Sequence, residues 1–287
     1  MRPRLHYLTL HDRVPEEVFM MAASSIPVVE SSLSTPKVRL VSLDHPWQWL
    51  AAGWKDLWQT PAASISYGLL FVIMGYLLVY LVEARFHYAL ALTTGFLLAG
   101  PFLAMGLYDI SRRLQNNEPV HLGHALFAWS RNPLPILLFG LLLGLLMIVW
   151  ARLSAVLFGV LAGGRELTLD PSTAQLFFSG SGLTFLLIFT LVGALVAAAV
   201  FTISVVSIPM LLDRKTDFIT AILTSITAVR ANPGPMVMWA ALIVIFTGIG
   251  LISAYLGLAI ALPLIGHATW HAYKDLVDNS DIEQQPI

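Results

Sequence analysis

"LAGPFLAMGLYDISRRL", residues 98–114, decides how the chain is read. An apolar run meets Pro101, recovers for a turn, and ends in Tyr108, Asp109, Arg112 and Arg113. A helix breaker in an apolar segment, followed by abrupt charge, is the pattern of a kinked span leaving a membrane. The pattern returns at "IPMLLDRK" (208–215) and "LPLIGHATWHAYK" (262–274), where Pro209 and Pro263 take the place of Pro101. Each of the three prolines is expected to kink its helix near a charged exit.

Composition carries the same message. Of 287 residues, 57% are hydrophobic and 11% charged, and mean hydropathy is +0.77. A soluble domain carries roughly 25% charged residues, so most of this surface must face something apolar. Uncharged runs cover 62–82, 88–108, 134–151, 183–212 and 235–273. Each has about the 18–20 residues that cross a bilayer as a helix. The last has room for two spans with a turn near "GIGLISAY" (248–255). Six spans are therefore expected, at 62–82, 88–108, 134–151, 183–211, 235–253 and 255–273. Cysteine is absent, which excludes a disulfide framework, a thiolate metal site and a Cys nucleophile. A net charge of −1 argues against a nucleic-acid partner. Residues 1–40 lack a convincing signal peptide and read as a largely disordered cytoplasmic tail, with 277–287 as a second tail.

Lysine and arginine set the orientation. Arg2, Arg4, Arg13, Lys37, Arg39, Lys55, Arg112, Arg113, Arg131, Arg214, Lys215, Arg230 and Lys274 fall on one side of this topology. Arg85, Arg152 and Arg165 fall on the other. The asymmetry places both termini in the cytoplasm.

Three phrases precede the odd-numbered spans: "LAAGWKDLWQTP" (50–61), "LGHALFAWSRNP" (122–133) and "ILTSITAVRANP" (222–233). Counting back from each closing proline, apolar residues stand at four (Leu57, Trp129, Val229), seven (Trp54, Leu126, Ile226) and eleven (Leu50, Leu122, Ile222). Small residues stand at eight: Gly53, Ala125 and Ser225. This spacing predicts amphipathic helices lying in the membrane surface. Trp47, Trp49, Trp54, Trp58 and Trp129 suit headgroup-level anchors. The expected fold is all-α and polytopic: a domain over 41–276 of three units, each a surface helix plus a helical hairpin, arranged as a pseudo-threefold bundle. The units are 44–114, 121–215 and 216–275, with a periplasmic insertion at 152–182 in the second.

Chemistry is sparse. His267 and His271 stand four apart, and His121 and His124 three apart, spacings that let imidazoles share a metal. No third ligand accompanies them, and no cofactor is expected. Mid-span polar groups are hydroxyls, with no central carboxylate or cation of the kind ion-coupled transport uses. No phosphate loop, HExxH or Ser-His-Asp order appears, and the chain is not expected to be an enzyme. Gly140 with Gly144, Gly193 with Ala197, and Gly257 with Ala261 have the spacing that lets helices approach closely.

The phrases "HPWQWLAAGWKDLWQTP", "LAGPFLAMGLYDISRRL", "WSRNP", "RANPGP" and "LPLIGHATWHAYKDLV" resemble those of a family of bacterial six-helix inner-membrane proteins of unknown function, over roughly residues 37–276. Some members carry a loose label as cytochrome c oxidase subunit I-like. The resemblance implies no activity or ligand and at most respiratory company. The sequence thus points to a non-catalytic accessory, assembly or scaffold subunit, whose partners are the bilayer and other membrane subunits. A small-solute or lipid transporter or channel is the alternative, and a metal- or haem-binding protein the third reading.

Overall fold

The computed structural model describes residues 36–83, 100–161 and 180–278, and these are helical with short connections. Surface helix α1 (His45–Gln59) leads through Thr60 into α2 (Pro61–Glu83). Two short helices follow, α3 (Gly100–Leu103) and α4 (Met105–Gln115), then α5 (Leu122–Leu126) and a 3-10 turn at Ala128–Arg131. The chain continues through α6 (Pro133–Leu161), α7 (Gly180–Ser204), α8 (Ser207–Asp213), α9 (Phe218–Ala231), α10 (Pro233–Ile252) and α11 (Leu258–Leu276). The tail expected at 1–40 and most of the span expected at 88–108 lie outside the described residues. So do the middle of the 152–182 insertion and most of the 277–287 tail.

Among the described residues, four stretches are long and apolar enough to cross a membrane: Pro61–Leu78, Pro133–Val160, Gly182–Asp213 and Pro233–Ile252. Helix α11 has 19 residues and is buried on almost all sides below Ala261. It carries His267, His271, Lys274 and Asp275 and packs against α1, α2, α4, α8 and α10. Three long helices begin at a proline one residue after a surface element: Pro61, Pro133 and Pro233. Proline fits there because the first helical N–H has no partner within the helix. The preceding side chains Thr60, Asn132 and Asn232 are polar. Asn132 Nδ2 donates to the carbonyls of Leu211, Arg214 and Thr216 at 3.0–3.4 Å. Asn232 Nδ2 donates to the Arg39 carbonyl at 3.0 Å, and its Oδ1 accepts from the Val41 amide at 2.8 Å.

The even-span prolines act in different ways. Pro209 follows a break at Val205–Val206, where its ring would crowd the carbonyl four residues back. Pro101 precedes a break at Ala104. Pro263 sits inside α11 without interrupting it. Proline removes the helical partner of the Ala259 carbonyl, and Gly68 of α2 lies directly against that oxygen and the Pro263 ring. The absence of a Cβ at Gly68 lets α2 supply a close neighbour to the freed carbonyl.

The surface helices are rotated from the expected stripe. In α1, Trp49, Leu50, Gly53, Asp56 and Leu57 turn inward, while Trp47, Trp54 and Trp58 are about half exposed. The cause is Gly53: a Cβ there would stand 2.6 Å from the Ala268 nitrogen, so the contact line centres on this glycine and carries Trp54 outward. Trp49 is a core residue and not a surface anchor; it is 2% exposed and meets Trp239 edge-on at 5.8 Å. The second surface helix is split at Phe127, leaving Leu126 and Trp129 exposed. All three small positions are buried. Gly53 abuts Ala268 of α11, and Ala125 offers its carbonyl close to Gly106 of α4. Ser225 Oγ donates to the Thr202 carbonyl at 2.7 Å and accepts from the Val206 amide at 3.2 Å.

Helix α6 runs through residue 161, ten residues past the expected span end, and absorbs the start of the insertion. At 1.5 Å per residue it is about 43 Å long, against roughly 30 Å of hydrocarbon. It meets α7 in a separate cluster of Trp150, Phe185 and Phe189.

Candidate functional site

A connected set of buried polar groups lies where α1, α2, α4 and α11 meet. Asp56 belongs to the inward face of α1 and Ser64 to the first turn of α2; both are buried. Ser111 comes from α4, one turn before Gln115, and His267 and His271 come from successive turns of α11. The i,i+4 spacing of the two imidazoles places both on one face.

The Asp56 carboxylate can only accept hydrogen bonds, which fixes the direction of the network. Ser111 Oγ donates to Asp56 Oδ2 at 2.6 Å, and His271 Nε2 donates to the same oxygen at 2.8 Å. With its one proton committed, Ser111 accepts from His267 Nδ1 at 2.8 Å. Ser64 Oγ lies 2.9 Å from His267 Nε2, and Thr60 Oγ1 lies 3.1 Å from Ser64 Oγ. On the other arm, Trp270 Nε1 donates to Gln115 Oε1 at 3.0 Å, leaving the Gln115 amide nitrogen 3.5 Å from His271 Nδ1. Burial pushes the Asp56 carboxyl up, but the bonds from His271 and Ser111 outweigh it and hold the group below its ordinary value.

Three charged groups surround this junction and are satisfied elsewhere. Asp109, fully buried, accepts from Arg112 Nε at 3.0 Å and Arg113 Nε at 2.7 Å. Arg112 forks onto Glu118 at 2.8 and 2.9 Å; that pairing leads the effects holding the Glu118 carboxyl down at about 2. Asp213 accepts from Tyr273 Oη at 2.8 Å and Lys274 Nζ at 3.1 Å. Asp275 accepts from Trp49 Nε1 at 2.8 Å and pairs with His45 Nδ1 at 2.6 Å.

The residues singled out from spacing fall in different places. His267 and His271 join one network, and the ring nitrogens of both face Ser, Gln or Asp partners. His121 and His124 lie at the start of α5 with ring centres 5.5 Å apart. Among the described residues no three His, Asp or Glu side chains are placed to hold a metal ion. Gly140 packs on Phe102 and Gly193 on Trp150, while a Cβ placed on Gly144 would meet nothing within 4 Å among the described residues. Gly257 serves the turn between α10 and α11, donating its amide to Ser253 Oγ at 2.8 Å; Ala261 is buried and Ala197 exposed. Spacing within one segment missed Asp56, Ser64, Ser111 and Gln115. Asp56 had one signal: a carboxylate one turn from Gly53 and beside Leu57, in line with Trp49 and Leu50.

Residues 88–213 match the model of a family described as predicted integral membrane protein (DUF2189), a family of unknown function. No curated protein and no solved structure matches the chain.

Proposed function

We propose that this integral membrane protein is a non-catalytic, six-span accessory, assembly or scaffold subunit of a larger bacterial inner-membrane complex, with a respiratory complex the first to test. The observation carrying this reading is the exposed apolar wall of α6 and α7. Only 22% of the α6 span window and 11% of the α7 window are buried within the chain, against 33% for α2 and α10. Leu137, Leu141, Leu145 and Ile148 on α6, with Leu187, Leu191 and Leu195 on α7, stand more than half exposed. Such a wall meets lipid or the apolar helices of another subunit.

Six spans fit the meeting of the described ends. The Lys37 carbonyl accepts from the Asp278 amide at 2.8 Å, and Arg39 pairs with Asp278 at 2.9 Å, so the residues flanking the helical domain meet on one side. An even span count fits this meeting, and on the proposed reading the sequence segment 88–108 and α11 would bring the four candidate spans to six. The basic residues Arg39, Arg112, Arg113, Arg214 and Lys274 pair at this same end, which supports placing it in the cytoplasm. The threefold reading draws support from a cyclic order of contacts. The surface helix of the first unit docks on the returning helix of the third, that of the second on the first, and that of the third on the second, through Gly53, Ala125 and Ser225.

The test is purification from the native membrane in mild detergent, with mass spectrometry and absorption spectroscopy of whatever co-migrates. A stoichiometric membrane complex is the expected result. A lone, colourless protein overturns the subunit reading and favours a transporter of small solutes or lipids. The buried line Ser64–His267–Ser111–Asp56 is the feature that speaks for that second reading, because ionisable groups kept within a membrane bundle commonly serve transport.

A further inference from the structure

The Asp56 junction has two arms with opposite tautomers. His267 gives its Nδ1 proton to Ser111, whereas His271 gives its Nε2 proton to Asp56. The His271 tautomer is enforced from outside the ring. Trp270 is donor-only and 1% exposed, so it claims the Gln115 carbonyl oxygen. Gln115 then presents its amide N–H to His271 Nδ1, which must be a lone pair. The His271 side chain is 19% exposed, enough for water to reach it.

A proton added to His271 has one place to go, Nδ1. There it meets the Gln115 amide donor head-on. The clash is relieved when the Gln115 amide turns its oxygen to the imidazolium, and that turn removes the acceptor of the Trp270 N–H. The same proton converts the His271–Asp56 contact into an ion pair. We propose that Asp56, His271, Gln115 and Trp270 form a proton-responsive clasp, which on taking up one proton exchanges the Trp270–Gln115 hydrogen bond for a His271–Gln115 one and turns the His271–Asp56 bond between α11 and surface helix α1 into an ion pair. The other groups around it are committed. On α4, Asp109, Arg112 and Arg113 pair with one another and with Glu118. On α11, Lys274 binds Asp213 and lies 5.7 Å over the Trp270 ring, while Asp275 holds His45 and Trp49. At the end of α8, Asp213 and the following Arg214 meet Tyr273. Helix α2 contributes Ser64, α1 adds the exposed Lys55, and α10 has no titratable side chain.

The experiment is a pH titration of the full chain in detergent, with histidine and tryptophan side chains labelled with nitrogen-15. Near pH 8, His271 is expected as the Nε2–H tautomer and His267 as the Nδ1–H tautomer. On acidification, the proton taken up by His271 is expected to move the Trp270 indole N–H signal with the same midpoint, while His267 keeps its tautomer. In Gln115→Met, which keeps the side-chain volume, His271 still titrates but Trp270 no longer follows. The proposal is overturned if the neutral His271 is Nδ1–H, if it takes up no proton before the protein unfolds, or if Trp270 stays still while His271 takes one up. The wild-type titration decides these points even where the variant fails to fold.

Discussion

Gly53 of the surface helix lies against the backbone of Ala268, so close that a Cβ on Gly53 would stand 2.6 Å from the Ala268 nitrogen and 2.9 Å from its Cα. Neither atom belongs to a flexible side chain, so one helix must move to admit a methyl group. Gly53→Ala is expected to lose about 1–3 kcal/mol through overpacking, outweighing the ~1 kcal/mol that alanine gains over glycine in a helix. Gly68→Ala, against the Ala259 carbonyl and Pro263, is expected to lose at least as much. Gly144→Ala meets open space and serves as the control, with no loss. Thermal unfolding in one detergent ranks the three, and a Gly53→Ala protein as stable as wild type would refute the close packing.

How far these features were legible depends on their range. Helix positions followed from local apolar runs, and Pro61, Pro133 and Pro233 marked where long helices begin. The rotation of α1 was not legible, because period alone cannot tell a stripe against lipid from a stripe against another helix. Trp49 looks like a headgroup anchor until Trp239 and Asp275 are seen beside it. The Asp56 junction joins residues 55 to 215 positions apart, and no spacing rule reaches across that distance. Its partners are single hydroxyls and amides that look like ordinary span residues one at a time.

Asn232 is expected to be among the least replaceable polar side chains. It closes the Arg39 carbonyl and the Val41 amide, backbone groups of an irregular segment with no helix to satisfy them. Asn232→Ala leaves both without that partner, at about 1 kcal/mol for each bond, since both groups are partly open to water. Limited proteolysis reads the result directly: cleavage should appear between residues 36 and 44 while the long helices stay protected. Asn232→Asp keeps the acceptor for Val41 and should be cut more slowly than Asn232→Ala. Equal rates would show that the amide donor alone matters.

Glu118 gives the pH dependence a sign. Its carboxyl is held at about 2, below an ordinary 4.5, first by the bonds from Arg112. A depressed carboxylate contributes stability that is complete above its unfolded value and is lost as pH falls through the folded one. The contribution is therefore intact above pH 4.5 and disappears towards pH 2. Asp56 adds in the same direction, since its carboxyl also lies below its ordinary 3.8. Glu118→Gln should melt lower than wild type at pH 7, and the two melting curves should converge as the pH approaches 2. A difference constant with pH would show that the Arg112 fork adds nothing through charge. Because Glu118 keeps 35% of its side-chain surface exposed, raising salt should narrow the difference at pH 7.

The six-span orientation is testable without removing any native thiol, because the chain has no cysteine. Leu256 lies exposed in the turn joining α10 to α11, and Lys215 lies exposed beside the Asp213 cluster at the opposite end of these helices. A membrane-impermeant maleimide added to intact cells of a bacterial host stripped of its outer membrane should label Leu256→Cys and spare Lys215→Cys. Inverted vesicles should reverse the pattern. The turn itself constrains the choice of site. Ala254 and Tyr255 adopt left-handed backbone angles, φ 52° and 67°, and Tyr76 bonds the Ala254 carbonyl at 2.8 Å. A cysteine at either of those positions would disturb a turn already under strain, whereas Leu256 points outward and tolerates the exchange. Labelling of both positions from the same side would overturn the hairpin of α10 and α11 as two spans, and with it the count of six.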